Sequence, residues 1–271
     1  MKKILIVVGT RPNYIKVTQF KKVAEDKFKG KFEIKIVHTG QHFDPGMADV
    51  FFQQLDLWPD FFLNISQGSP NVQMGEILIR LEKVMKEQFM PDVLLVPGDV
   101  NSTLAAAICA NKIGVTIGHL ESGLRSFDRS MPEEVNRILV DEISDLYFVT
   151  EQSGVENLIK EGKRKESVHF VGNTMIDTLV GFEASILEQT VMNKYNLVKD
   201  EFILITMHRP ATVDRKEGLE EFLSIIAEIP KDKTIVFAMH PRTLNYIKEY
   251  QLESELKALE NLIVLGPQDY F

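Results

Sequence analysis

Short, β-branched, almost continuously apolar runs alternate with helix-length amphipathic segments from one end of this chain to the other. That alternation constrains the fold more than any other feature. The runs are Ile4–Val8, Glu33–His38, Val93–Val96, Val115–His119, Leu146–Val149, Val168–Val171, Phe202–Met207, Thr234–Met239 and Leu262–Leu265. Strands that are apolar on both faces belong to parallel sheets with helices on each side. Between them Val17, Phe20 and Ala24 recur at helical spacing, as do Ile77, Leu81, Val84 and Met85. Further periodic segments span 102–113, 134–143, 151–161, 215–229 and 243–259. This order implies an α/β fold with doubly wound parallel sheets and right-handed crossovers. Nine runs exceed one average sheet, so the chain divides into two Rossmann-like lobes, residues 1–172 and 173–271. After Leu265 comes Gly266-Pro267-Gln268-Asp269-Tyr270-Phe271, a loop opening rather than a closing helix. The second lobe therefore reads as incomplete, either cut short at Phe271 or continuing past it.

Composition narrows the ligand class. The net charge of −8 argues against a nucleic-acid partner or an acidic membrane surface. Local Arg and Lys can still outweigh that mean field for a small anion. Cys109 is the only cysteine and lies in an apolar run, so it reads as a core residue, with no disulfide framework and no thiolate metal cage. The apolar run after Met1-Lys2-Lys3 is too short for a membrane span or signal core. A reducing cytoplasm fits best.

In an open α/β sheet, ligands sit beyond the carboxyl ends of the strands. The first strand delivers Gly9-Thr10-Arg11-Pro12-Asn13-Tyr14-Ile15-Lys16, where Arg11 and Lys16 flank a helix start and make a phosphate site, or an ordinary solvated turn. Asp99 follows the third strand as a general base or sugar ligand, or as the cap of the next helix. Glu121 follows the fourth, ahead of a glycine turn that also holds Arg125. Glu133 completes a Ser130-x-x-Glu capping-box pattern and sits four residues before Arg137, so a cap or a surface pair explains it as readily as catalysis. In the second lobe two strands end in histidine, His208-Arg209-Pro210 and His240-Pro241-Arg242. No dinucleotide or P-loop fingerprint, nucleophile elbow or metal-ligand spacing is present, so neither NAD nor a metal is expected. Carboxylates, cations and histidines at strand ends suit acid–base work on a substrate with a phosphate leaving group.

Together the motifs resemble the non-hydrolysing UDP-N-acetylglucosamine 2-epimerases. They are Gly9-Thr10-Arg11-Pro12, Gln41-His42, Gly98-Asp99, Gly118-His119-Leu120-Glu121-Ser122-Gly123-Leu124-Arg125, Pro132-Glu133-Glu134-Val135-Asn136-Arg137, Gly172-Asn173-Thr174 and His208-Arg209. The resemblance implies two lobes of the glycosyltransferase-B type with substrate between them. It implies cofactor-free interconversion of UDP-GlcNAc and UDP-ManNAc through a glycal, feeding polysaccharide synthesis, by a cytoplasmic homodimer. By position it implies Asp99, Glu121, Glu133, Arg137 and His208 as catalytic, and Arg11, Lys16, Arg125 and His240 as substrate-binding. Gln41, His42, Gln73 and Arg209 are its candidates for an activating second UDP-GlcNAc site. Asn13 departs from the family's usual Glu, and His208-Arg209-Pro210-Ala211-Thr212 from its usual loop; the family's segment for the uridine ribose and phosphates does not occur within these residues. A UDP-sugar glycosyltransferase of the same fold, or a nucleotide-sugar-binding form without turnover, are the alternatives.

Overall fold

The computed structural model describes residues 1–40, 52–266 and 268–271, and forms two compact units, Met1–Glu183 and Ala184–Phe271. In the first unit seven strands form an all-parallel sheet in the order β3-β2-β1-β4-β5-β6-β7. They are β1 (Lys2–Val8), β2 (Phe32–His38), β3 (Phe61–Phe62), β4 (Val93–Pro97), β5 (Thr116–Leu120), β6 (Leu146–Val149) and β7 (Val168–Phe170). The winding reverses between β1 and β4, so a crevice opens beyond their carboxyl ends, where an open sheet binds its ligand. Leu5, Ile6, Val7 and Val8 of β1 and Leu94, Leu95 and Val96 of β4 are buried, as continuously apolar strands require.

Helix α1 (Arg11–Val17) follows β1, and α2 (Gln19–Lys27) follows a break at Thr18. Helices α3 (Pro70–Glu87), α4 (Asn101–Ile113), α5 (Pro132–Ile143) and α6 (Gln152–Lys160) complete the crossovers. α4 presents Leu104, Ala105, Ala106, Ala107, Cys109 and Ala110 to the interior, and these mostly small side chains let the backbone lie close to its neighbours. Cys109 is the buried core residue expected. In β4 and β5 the register pairs Pro97 with Leu120, so both chains leave the sheet at the same level.

Two sequence expectations shift. The two-residue β3 is too short for a pattern to reveal. The unit boundary falls at Glu183 rather than after residue 172, because helix α7 (Thr174–Gly181) is anchored to the first unit. The fully buried Thr178 hydroxyl donates to the Ile15 carbonyl and meets the Thr18 hydroxyl.

The second unit has β8 (Phe202–Met207), β9 (Thr234–Met239) and β10 (Leu262–Leu265), parallel in the order β10-β9-β8. Leu219, Leu223, Phe237, Met239, Ile247 and Leu252 form its core. The expected helix over 243–259 is interrupted where Gln251 adopts a left-handed φ of 58°. No described helix is long and apolar enough to cross a membrane.

Candidate active site

The first unit gathers its polar residues at the β1/β4 switch point and the adjoining end of β5. Asn13, buried in α1, accepts on Oδ1 from the amides of Gly9 and Thr10, both at 3.2 Å, and donates from Nδ2 to the Pro97 carbonyl at 3.1 Å. One side chain thus ties the β1 turn to the end of β4. This is a role that an acceptor-only carboxylate would not fill.

Gly98 sits at the centre of the cluster. Its φ of +71° favours glycine. A Cβ there would meet Lys16 Nζ at 3.0 Å and Glu121 Oε2 at 3.5 Å. Lys16, only 11% exposed at its side chain, forms an ion pair with Glu121. Glu121 itself has φ +71°, an uncommon conformation for a residue with a side chain and one that recurs at functional sites. Beside it, Asp99 pairs with Arg137 of α5, and Asn136 Nδ2 donates to the Asp99 carbonyl at 2.9 Å. The helix-cap explanation for Asp99 therefore fails: Val100 occupies the cap position, with no side-chain cap bond.

Three expectations about neighbouring residues are corrected. The Ser130–Glu133 capping box does not form; Ser130 bonds Asp128, and the N-cap of α5 is Met131. Glu133 is exposed in the first turn and does not pair with Arg137. It has no hydrogen-bond or ion-pair partner among the described residues. Arg137 pairs instead with Glu134 at 2.9 Å, whose buried carboxylate also accepts from the amides of Ser126 and Phe127, both at 3.0 Å. Burial alone would raise the Glu134 pKa, but those two amides and Arg137 outweigh it and hold it below the usual range. Arg125, expected at the substrate, has a side chain only 2% exposed and clasps Asp141 at 2.7 Å and Glu161 at 2.5 Å. Through these pairs it braces the turn after β5.

Arg11 is exposed at the start of α1, within the same turn as Gly9 and Thr10. In the second unit His208 and His240 lie at the ends of β8 and β9 with ring centroids 5.6 Å apart. His240 Nδ1 accepts from the Arg242 amide at 3.1 Å and caps the helix Pro241–Glu249. Burial, aided by His208 and Arg242, lowers its pKa. Arg209 is exposed beside them. Gln73 lies in the first turn of α3. Gln41 and His42 lie outside the described residues. Among the described residues no group of three or more His, Cys, Asp or Glu side chains is placed to hold a metal ion.

Sequence reasoning missed Asn13, Glu134, His119 and Asp141 as supports of this cluster. The last two were detectable only as polar residues among buried apolar neighbours.

Comparison with known proteins gives the cluster its context. Residues 24–271 match the family model described as UDP-N-acetylglucosamine 2-epimerase. The UDP-N-acetylglucosamine 2-epimerase of Methanocaldococcus jannaschii is 38% identical, over 99% of this chain and 74% of its own length. A Pseudomonas aeruginosa UDP-2,3-diacetamido-2,3-dideoxy-D-glucuronate 2-epimerase is 37% identical, over 95% of this chain and 72% of its own. The crystal structure of the M. jannaschii enzyme with UDP-GlcNAc and UDP superposes with a TM-score of 0.84 at 38% identity, covering 99% of this chain and 74% of that one.

Proposed function

Since this chain belongs to the UDP-N-acetylglucosamine 2-epimerase family, we propose that it interconverts UDP-GlcNAc and UDP-ManNAc by eliminating and re-adding UDP. The C2 proton of the sugar has no neighbouring carbonyl to acidify it. Loss of UDP from C1 with that proton gives a glycal, and UDP then returns as a proton is delivered to the opposite face of C2. The chemistry needs carboxylates at C2 and beside the positive charge developing at C1, with cations on the diphosphate.

One observation carries the reading: two carboxylate–cation pairs, Asp99–Arg137 and Glu121–Lys16, flank Gly98 at the switch point. Asp99 or Glu133 exchanges the C2 proton and Glu121 supports the oxocarbenium-like state. Lys16 and Arg11 receive the diphosphate, so Lys16 is shared between Glu121 and the leaving group. Arg137 orients Asp99. His208 and His240 of the second unit join the proposal through their strand-end motifs, and Arg209, Gln73, Gln41 and His42 as an activating site. A homodimer in the cytoplasm is part of the same reading.

Incubation with UDP-GlcNAc in D₂O, without acceptor, tests it by proton NMR. The expected result is the C2 epimer carrying deuterium at C2. Absence of both exchange and epimer defeats the proposal, while transfer only after an acceptor is added supports a glycosyltransferase. Asp99→Asn, Glu121→Gln and Glu133→Gln should each lower turnover by about 100-fold or more. A near-wild-type rate removes that residue from the mechanism. Offering the diacetamido-glucuronate nucleotide beside UDP-GlcNAc decides which sugar is preferred.

A further inference from the structure

Two turns carry the proposed carboxylates Asp99 and Glu121, and one buried side chain is linked to both. His119 lies in β5, fully buried, two positions before Glu121. Its Nε2 is 2.8 Å from the Gly98 carbonyl oxygen and its Nδ1 is 2.6 Å from Asp141 Oδ1. A carbonyl oxygen only accepts, so Nε2 is the donor to Gly98, and Nδ1 faces the Asp141 carboxyl group. The other Asp141 oxygen accepts from the Gly123 amide at 3.0 Å and from Arg125 at 2.7 Å. A continuous path therefore runs from Gly98, through His119 and Asp141, to Gly123. It begins on the residue before Asp99 and ends two residues after Glu121.

Both turns contain backbone that needs holding. Gly98, Glu121 and Gly123 have φ values of 71°, 71° and 78°. The burial pushes up the Asp141 pKa, but His119 and Arg125 outweigh it and keep the group ionised as an acceptor. A network serving stability alone need not end on the two turns that carry the carboxylates.

The geometry points to His119, anchored by Asp141, as a positioning residue that holds the Gly98 carbonyl and so keeps Asp99 in register with Glu121. The kinetic consequence rests on the epimerase reading; the positional consequence does not.

Two substitutions separate the ends of the ring. In His119→Gln the side-chain amide nitrogen reaches the place of Nε2 and can still donate to Gly98. In His119→Asn it reaches only the place of Nδ1, donates to Asp141 and leaves the Gly98 carbonyl without its donor. Misplacement of a reacting group by about 1 Å costs on the order of 100-fold. The Asn variant should lose about that factor in kcat with KM little changed, and the Gln variant should recover roughly tenfold of it. Amide hydrogen exchange, measured on the whole chain without substrate, should rise over residues 98–103 in the Asn variant. It should stay near wild type in the Gln variant, with the rest of β4 equally protected in both.

Absence of turnover in the wild-type chain would count against the epimerase reading, and the exchange data would then decide this inference alone. Equal kcat losses in both variants overturn it, as does a loss confined to KM. So does unchanged exchange over 98–103 in the Asn variant. Loss of a cooperative unfolding transition in both variants also overturns it, because His119 would then be a folding residue.

Discussion

Adjacent glutamates in the first turn of α5 should respond to the same substitution in opposite ways. Glu134 is 1% exposed, and its carboxylate makes three contacts, with the Ser126 and Phe127 amides at 3.0 Å and Arg137 at 2.9 Å. Glu134→Gln keeps the volume but turns one terminal oxygen into an amide that meets only donors. Turned so that the amide nitrogen takes the place of Oε1, it loses the Phe127 contact and keeps those of Ser126 and Arg137 on the other oxygen, without the charge. At about 1.5 kcal/mol for the lost bond and about 0.75 kcal/mol for each of the two weakened ones, the cost is about 3 kcal/mol. That lies at the low end of the range for removing one partner of a buried ion pair, about 3–5 kcal/mol. The apparent Tm of the first unit should fall by about 6–12 °C. Glu133 is exposed, so Glu133→Gln should change stability by less than about 0.5 kcal/mol while lowering turnover. Trp58, the only tryptophan, lies in the first unit, so its fluorescence through a urea titration reports this unit's unfolding. Arg137 loses the charge of one partner on Glu134→Gln substitution, so some activity should go with the stability there. The reasoning fails if Glu134→Gln stays within about 1 kcal/mol of wild type, or if Glu133→Gln is destabilised by more than that.

Gly123→Ala should destabilise the first unit, because φ is +78° and a Cβ would lie 2.3 Å from the Gly154 carbonyl oxygen. The left-handed conformation alone costs about 1–2 kcal/mol, and an unchanged melting temperature would show that the backbone yields freely. A pH effect should come from His38, whose imidazole burial lowers from 6.5 to about 4. Between those values the unfolded chain binds the proton that the native ring refuses, so stability falls as pH drops through that window, by up to about 3 kcal/mol. Urea titrations at steps across the window should show this slope in wild type and a flatter one in His38→Phe; parallel slopes would remove His38 as the cause.

Much of the cluster was legible because strand ends are legible. A β-branched run followed by a turn marks where Lys16, Asp99 and Glu121 emerge, and the sheet order brings those ends side by side. What stayed hidden depends on burial, which residue type alone does not report. Glu133 and Glu134 share a motif and a helix turn, yet only the second points inward. Arg125 reads as a substrate-binding cation, and nothing in its motif announces that Asp141 and Glu161 clasp it. His119 sits in an apolar strand and its partner on a later helix, so no local spacing joins them. The unit boundary was displaced for a similar reason, since α7 packs on α1 and α2, with Thr178 bonded to Ile15 and Thr18, across a long separation in sequence.

The pairing of Pro97 with Leu120 has a further consequence. Asp99 and Glu121 sit one or two residues beyond the level ends of neighbouring parallel strands, so the roots of their two turns stand one inter-strand spacing of about 4.8 Å apart. Deleting one residue from either strand would rotate every later side chain to the other face. The spacing of the two turn roots therefore tolerates no insertion or deletion in β4 or β5. Loops that carry neither Asp99 nor Glu121 can change in length without disturbing that spacing.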